Sequence, residues 1–142
     1  MAQTNVLVVE DESIVSKDIQ HSLKKLGYNI AGAASSGDQA VKLAIETMPD
    51  IILMDIMLKG EMNGIEAATQ IRAETNIPVI FLTAYADEST LNKAKVTQPY
   101  GYIIKPFKEI DIHTSIEMAL YKHKKEAEVL KERDMLYALV EN

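Results

Sequence analysis

Four short apolar runs in this chain each end on a side chain that can do chemistry. Val6-Leu7-Val8-Val9 leads into Glu10 and Asp11, and Ile51-Ile52-Leu53-Met54 leads into Asp55. Pro78-Val79-Ile80-Phe81-Leu82 stops at Thr83, and Tyr102-Ile103-Ile104 stops at Lys105. Were these ends to meet, three carboxylates, a hydroxyl and an ammonium group would share one pocket. Two unit charges ~4 Å apart repel by about 4 kcal/mol at an effective dielectric of ~20. Such a cluster calls for a cation or for raised pKa values. Mg²⁺, a hard ion that keeps several waters, suits open carboxylates better than zinc does. A protruding Asp55 in that company suggests phosphoryl transfer, with Asp55 as the nucleophile and Lys105 and Thr83 binding the other oxygens. Positioning and electrostatics would then do most of the catalysis.

The stretches between these runs explain why the ends should converge. Ser13 to Leu26 places Ile14, Val15, Ile19, Leu23 and Leu26 near helical spacing, and Gly27 stops it. Tyr28 to Ala34 reads as a weaker strand. A second helix opens at Ser36-Gly37-Asp38, with Ala40, Val41, Ala44 and Ile45 inward, and ends before Pro49. Further helices are expected from about Gly64 to Glu74, from Glu88 to Val96, and from Glu109 onward. Alternating strands and helices predict a parallel sheet covered on both faces, because parallel strands need long crossovers. The expected fold is therefore α/β: a doubly wound, flavodoxin-like sheet of five parallel strands in the order 2-1-3-4-5, with an extended C-terminal helix. Ligands of such sheets bind outside the carboxyl ends of the strands, where the winding reverses between strands 1 and 3. Glu10, Asp11 and Asp55 fall at that point.

Composition narrows the setting. The 142 residues fit one domain, and 47% apolar with 25% charged residues is ordinary for a globular protein. A net charge of -6 argues against a nucleic-acid surface. No stretch approaches the ~20 apolar residues of a membrane span, and Met1 to Asn5 lacks the pattern of a signal peptide. The chain has no cysteine, so thiolate metal sites are excluded. A cytoplasmic location fits best.

With these motifs in order, the sequence resembles the receiver (CheY-like) domain of two-component response regulators over about residues 4 to 122. The resemblance is carried by Val8-Val9-Glu10-Asp11-Glu12, Leu53-Met54-Asp55-Ile56, Phe81-Leu82-Thr83-Ala84 and Tyr102-Ile103-Ile104-Lys105-Pro106-Phe107. It implies Asp55 as phosphoacceptor from a histidine kinase or phosphotransfer protein, with Glu10 and Asp11 as the acid pair. It further implies Mg²⁺ on Asp11, Asp55 and the Met57 backbone carbonyl, and Lys105 as the phosphate contact. Thr83 and Tyr102 would form a switch pair that moves inward and reshapes the helix 4-strand 5-helix 5 surface. The Lys105-Pro106 bond would be cis, a state common only before proline. Where the family commonly has proline, four residues after the phosphoacceptor, this chain has Lys59, in a loop about one residue longer than usual.

Each residue also has a plainer reading. Asp11 or Ser13 could cap the first helix, and Asp55 could be a turn residue. Thr83, Tyr102 and Lys105 taken singly read as a strand-end hydroxyl, a half-buried strand aromatic and a solvated charge. Met48, Met54, Met57 and Met62 read as packing residues. His21, His113 and His123 lack metal-ligand spacing and receive no role. Among other functions, a haloacid-dehalogenase-type phosphohydrolase would need a second Asp where Met57 stands. No P-loop or G-x-G-x-x-G occurs for a nucleotide or flavin. The remaining alternative is a receiver-fold interaction domain that is never phosphorylated.

The helical pattern outruns the receiver. Residues 1–122 are expected to form the receiver, and 123–142 a helical extension. Lys122 to Arg133 is highly charged, with Lys124 and Glu128 spaced for an ion pair. Met135-Leu136-Tyr137-Ala138-Leu139-Val140 is apolar again. Ala127 and Leu130 continue a narrow apolar stripe with Ile116, Leu120 and Tyr137, and a helix projecting from its domain cannot bury such a stripe alone. It is expected to pair with a second copy or to enter a further domain, the parent being a sensor histidine kinase or a PAS-containing regulator.

Overall fold

The computed structural model describes residues 3–84 and 88–141, with side chains through Leu139. Among them five strands alternate with five helices. The strands are β1 (Asn5–Val9), β2 (Asn29–Ala34), β3 (Ile51–Asp55), β4 (Val79–Thr83) and β5 (Gly101–Ile104). The helices are α1 (Ser13–Lys25), α2 (Gly37–Thr47), α3 (Gly64–Glu74), α4 (Glu88–Val96) and α5 (Glu109–Glu141). The sheet runs β2-β1-β3-β4-β5 with every neighbouring pair parallel, which is the expected order.

Alternation along the strands builds two cores. Leu7, Val9, Ile52, Met54 and Phe81 face α2, α3 and α4, against Ala40, Ala44, Ala67 and Ile71. Val6, Val8, Ile51, Leu53, Ile80 and Leu82 face α1 and α5, against Ile19, Leu23, Ile112 and Ile116. The central strands are buried on both sides, so they read as unbroken apolar runs.

Local chemistry ends the helices where the sequence punctuates them. Gly27 takes φ +94 just past α1. Ser36 caps α2 by accepting from the Gln39 amide at 3.2 Å, and Asn63 with Glu66 forms a capping box on α3. At the start of α1 the capping expectation fails. The N-cap is Glu12, and its side chain makes no cap bond, so neither Asp11 nor Ser13 serves there. Apolar residues at the edges of helical stripes also differ from expectation. Ile14 and Ile45 are exposed, because Ser16, Ile19 and Leu23 on α1, and Ala40 and Ala44 on α2, form the buried seams. Met48 and Met57 are likewise exposed, while Met54 and Met62 pack in the core.

The helix α5 runs unbroken for 33 residues. Ile112, Ile116 and Ala119 are buried against the sheet, whereas every residue from Lys124 to Leu139 is exposed. Two of the histidines tie this helix down. The Tyr28 hydroxyl donates to Glu117 at 2.9 Å and lies 3.0 Å from Nδ1 of His113, while Nε2 of His123 lies 2.7 Å from the Asn76 carbonyl. Tyr100 donates to Glu126. Lys125, not Lys124, meets Glu128, at 3.5 Å. No helix among the described residues is long and apolar enough to cross a membrane.

Candidate functional site at the strand ends

Parallel pairing of β1 with β3 sets Val9 beside Met54, so the next residues on each strand, Glu10 and Asp55, emerge together. Asp11 follows at the edge. One carboxylate oxygen from each of Glu10, Asp11 and Asp55 falls in a group whose members all lie within 4.8 Å of one another. Lys105 reaches across from the end of β5. Its ammonium lies 2.7 Å from Oδ2 of Asp55 and 3.2 Å from Oε1 of Glu10. Thr83, at the end of β4, is buried beside this pocket, and its carbonyl accepts the Lys105 amide at 2.8 Å. The Lys105-Pro106 bond is cis.

Backbone donors from the following loop orient two of the acids. The Met57 amide donates to Oδ1 of Asp55 at 2.9 Å, and the Lys59 amide donates to Oδ2 of Asp11 at 3.1 Å. The second bond needs a residue other than proline at position 59, since proline has no N–H. The departure from the family pattern thus supplies a donor to Asp11. It also explains why Asp11 is not a cap: its oxygen faces the loop.

Burial and like charge act most strongly on Glu10. Desolvation, then the hydrogen bond to Asp55 and the negative charge of Asp55, push its carboxyl up to about 8 against a partial offset from Lys105. For Lys105, burial alone would lower the pKa. The carboxylates of Asp55 and Glu10 outweigh it, and the ammonium is held above its ordinary value. Oε2 of Glu10 is buried with no hydrogen-bond partner among the described residues.

That orphaned oxygen and the all-oxygen donor set fit a hard divalent cation. Two ligands on one Mg²⁺ at about 2.0–2.1 Å lie no more than about 4.2 Å apart. Carboxylate oxygens that all lie within 4.8 Å of one another are thus close to the spacing one such ion would require.

One contact was not read from the sequence. A Cβ on Gly64 would stand 2.0 Å from the Asp55 carbonyl oxygen, so the first turn of α3 rests directly on the backbone of Asp55. The signal was present, because glycine is a poor helix former and here sits just inside a capped N-terminus. Tyr102, expected as the switch partner of Thr83, lies on β5. Its register partner is Phe81, with ring centroids 6.2 Å apart, and Thr83 lies opposite Ile104. The Tyr102 hydroxyl is already buried, without a partner among the described residues, and burial raises its pKa.

With this geometry in place, the comparisons with known proteins agree on one family. The chain belongs to the response regulator receiver domains: the family model described as "Response regulator receiver domain" matches residues 6–117. A relative is the transcriptional regulatory protein PdtaR of Mycobacterium tuberculosis, 34% identical over 81% of this chain and 56% of its own length. The chain thus spans about half the length of such curated relatives. Among solved structures, the signal receiver domain of a modulated diguanylate cyclase from Desulfovibrio desulfuricans superposes with a TM-score of 0.84. It is 40% identical and covers 88% of this chain and 99% of its own. The receiver domain of a sensor histidine kinase from Pseudomonas aeruginosa, described with a magnesium ion coordinated in its active-site cleft, has a TM-score of 0.77. It is 30% identical and covers 84% of this chain and 98% of its own. Receiver domains work with histidine kinases or phosphotransfer proteins, typically use an aspartate and Mg²⁺, and are generally not enzymes in the ordinary sense.

Proposed function

We propose that Asp55 accepts a phosphoryl group from the phosphohistidine of a histidine kinase or phosphotransfer protein. The observation that carries this is the 2.7 Å contact of Lys105 with an Asp55 carboxylate that shares its pocket with Glu10 and Asp11. An oxygen of Asp55 forms the new O–P bond, the P–N bond breaks, and its electron pair stays on the imidazole nitrogen. Lys105 passes from the carboxylate to a phosphoryl oxygen, and the Thr83 hydroxyl binds another. The Met57 amide holds the remaining Asp55 oxygen in place. Mg²⁺, held by Glu10, Asp11, Asp55 and the Met57 carbonyl, would neutralise charge on the transferring group.

The product carries about -1.5 to -2 charge at the aspartate, drawing Thr83 toward it and reshaping the α4-β5-α5 surface through Tyr102. Residues 1–122 act as the receiver and 123–142 as a coupling helix that meets a second copy or a further domain. The exposed Val129, Leu136 and Leu139 support that reading. Receivers of a sensor kinase and of a diguanylate cyclase among the similar structures support a multidomain parent.

Incubation with acetyl phosphate and Mg²⁺ should add one phosphoryl group, measured by intact-protein mass. The Asp55→Asn variant should add none. Equal labelling of both chains would reject Asp55, and no labelling of either, with no response to beryllofluoride, would favour the unphosphorylated interaction domain.

A further inference from the structure

A second cavity opens beside β4 and β5, reaching their amino-terminal ends, away from the carboxylates. It encloses about 490 Å³ between the carboxyl-terminal half of α3, the segment 97–100 and the part of α5 that leaves the sheet. Small-ligand sites commonly occupy about 300–1,000 Å³. The wall formed by 97–100 is built in advance. Arg72 donates to the Thr97 carbonyl at 3.2 Å and to both the carbonyl, at 3.5 Å, and the side chain of Gln98, which leaves its Nε–H and one Nη2–H uncommitted. Thr97 returns its amide and its hydroxyl to the Ala94 carbonyl, at 3.1 and 2.7 Å. Gln98 takes φ +54, a left-handed conformation uncommon outside glycine.

The lining is positive in a chain of net charge -6. Arg72, Lys95 and Lys122 stand against Glu126 alone, and that carboxylate already accepts the Tyr100 hydroxyl. The Lys122 ammonium lies 5.4 Å from the Tyr100 ring centroid, which keeps it at the rim. Tyr100 and Tyr102 add aromatic surface to the same wall.

We propose that this cavity binds a small nucleotide-like anion, a phosphate ester carrying a planar ring. Lys95, Lys122 and the uncommitted N–H groups of Arg72 receive the phosphate, and the tyrosine rings receive the planar group. The site is separate from Asp55 and binds whether or not Asp55 is phosphorylated.

The test is an NMR titration of the isotope-labelled chain with adenosine monophosphate, in EDTA so that no metal occupies the carboxylates. Ribose 5-phosphate and adenosine serve as phosphate-only and ring-only arms. Saturable shifts are expected at Arg72, in 97–102 and in 122–126, with each partial ligand weaker by about tenfold or more. The Lys95→Glu/Lys122→Glu double variant should weaken adenosine monophosphate by about tenfold or more with its spectrum otherwise intact, since both lysines are exposed. No saturable shift at about 10 mM, shifts confined to residues 10–11 and 55–59, or unchanged affinity in the double variant would overturn the site. Equal binding of either partial ligand would overturn the ligand class.

Discussion

The carboxylate end of the sheet and the outer half of α5 are opposite solutions to placing side chains. At the sheet end, Glu10, Asp55 and Thr83 are nearly inaccessible, and each acid meets a defined donor from elsewhere in the chain: Lys105, the Met57 amide or the Lys59 amide. Beyond Lys124, Val129, Leu130, Leu136 and Leu139 face water, and the ion pairs Lys125–Glu128 and Arg133–Asp134 are local ones on the helix surface. The first region is over-determined, since its geometry is fixed by strands that the core already holds. The second is a regular helix whose large apolar residues stay about half or more exposed. Exposed apolar surface of that kind is what the proposed contact with a second copy or a further domain would cover.

Gly64 gives the hardest test of the first half of that contrast. Gly64→Ala forces a methyl group against the Asp55 carbonyl. It should cost about 4 kcal/mol or more in urea unfolding and sharply reduce labelling by acetyl phosphate. A variant of wild-type stability would show that α3 can retreat without disturbing the site.

Paired truncations on α5 sharpen the contrast. Ile116 is fully buried, and Ile116→Ala should cost about 3 kcal/mol. Leu136 is 62% exposed, and Leu136→Ala should stay within about 0.5 kcal/mol in dilute monomer. If sedimentation shows a dimer, the Leu136 variant should dissociate it while the receiver remains folded. A large cost in a proven monomer would mean that this half of α5 folds back on the body.

The smallest effect belongs to Tyr100, which ties α5 to the start of β5. Burial, then the hydrogen bond and charge of Glu126, raise its pKa from 10.0 to about 12. The folded state therefore favours the protonated phenol. This contribution is fully present below pH 10.0 and is lost as pH rises toward about 12. Tyr100→Phe should flatten the alkaline limb of the stability profile without changing it near neutrality.

Much of the carboxylate site could be read from the chain because topology does the converging. Once Val6 to Val9 and Ile51 to Met54 are adjacent parallel strands, Glu10 and Asp55 have nowhere else to go. The misses share a different cause. Ile14 has the apolar character and nearly the spacing of a buried residue, but which edge of a helical stripe is covered depends on where the sheet sits. The contact of Gly64 with Asp55, and the Lys59 donor to Asp11, depend on the path of a loop, which residue types alone do not specify. The aromatic contacts of Tyr100 and His123 join residues whose patterns show no relation.

The unbroken course of α5 has a mechanical consequence. The 19 residues past Lys122 project about 29 Å at ~1.5 Å per residue. Pivoting about the Tyr100–Glu126 tie, a tilt of about 5° would carry the tip, some ~22 Å further on, through roughly 2 Å, comparable with the helix shifts that switch interfaces elsewhere. On the proposed function, a slight rearrangement of β5 would thereby become a displacement large enough for a neighbouring molecule to feel.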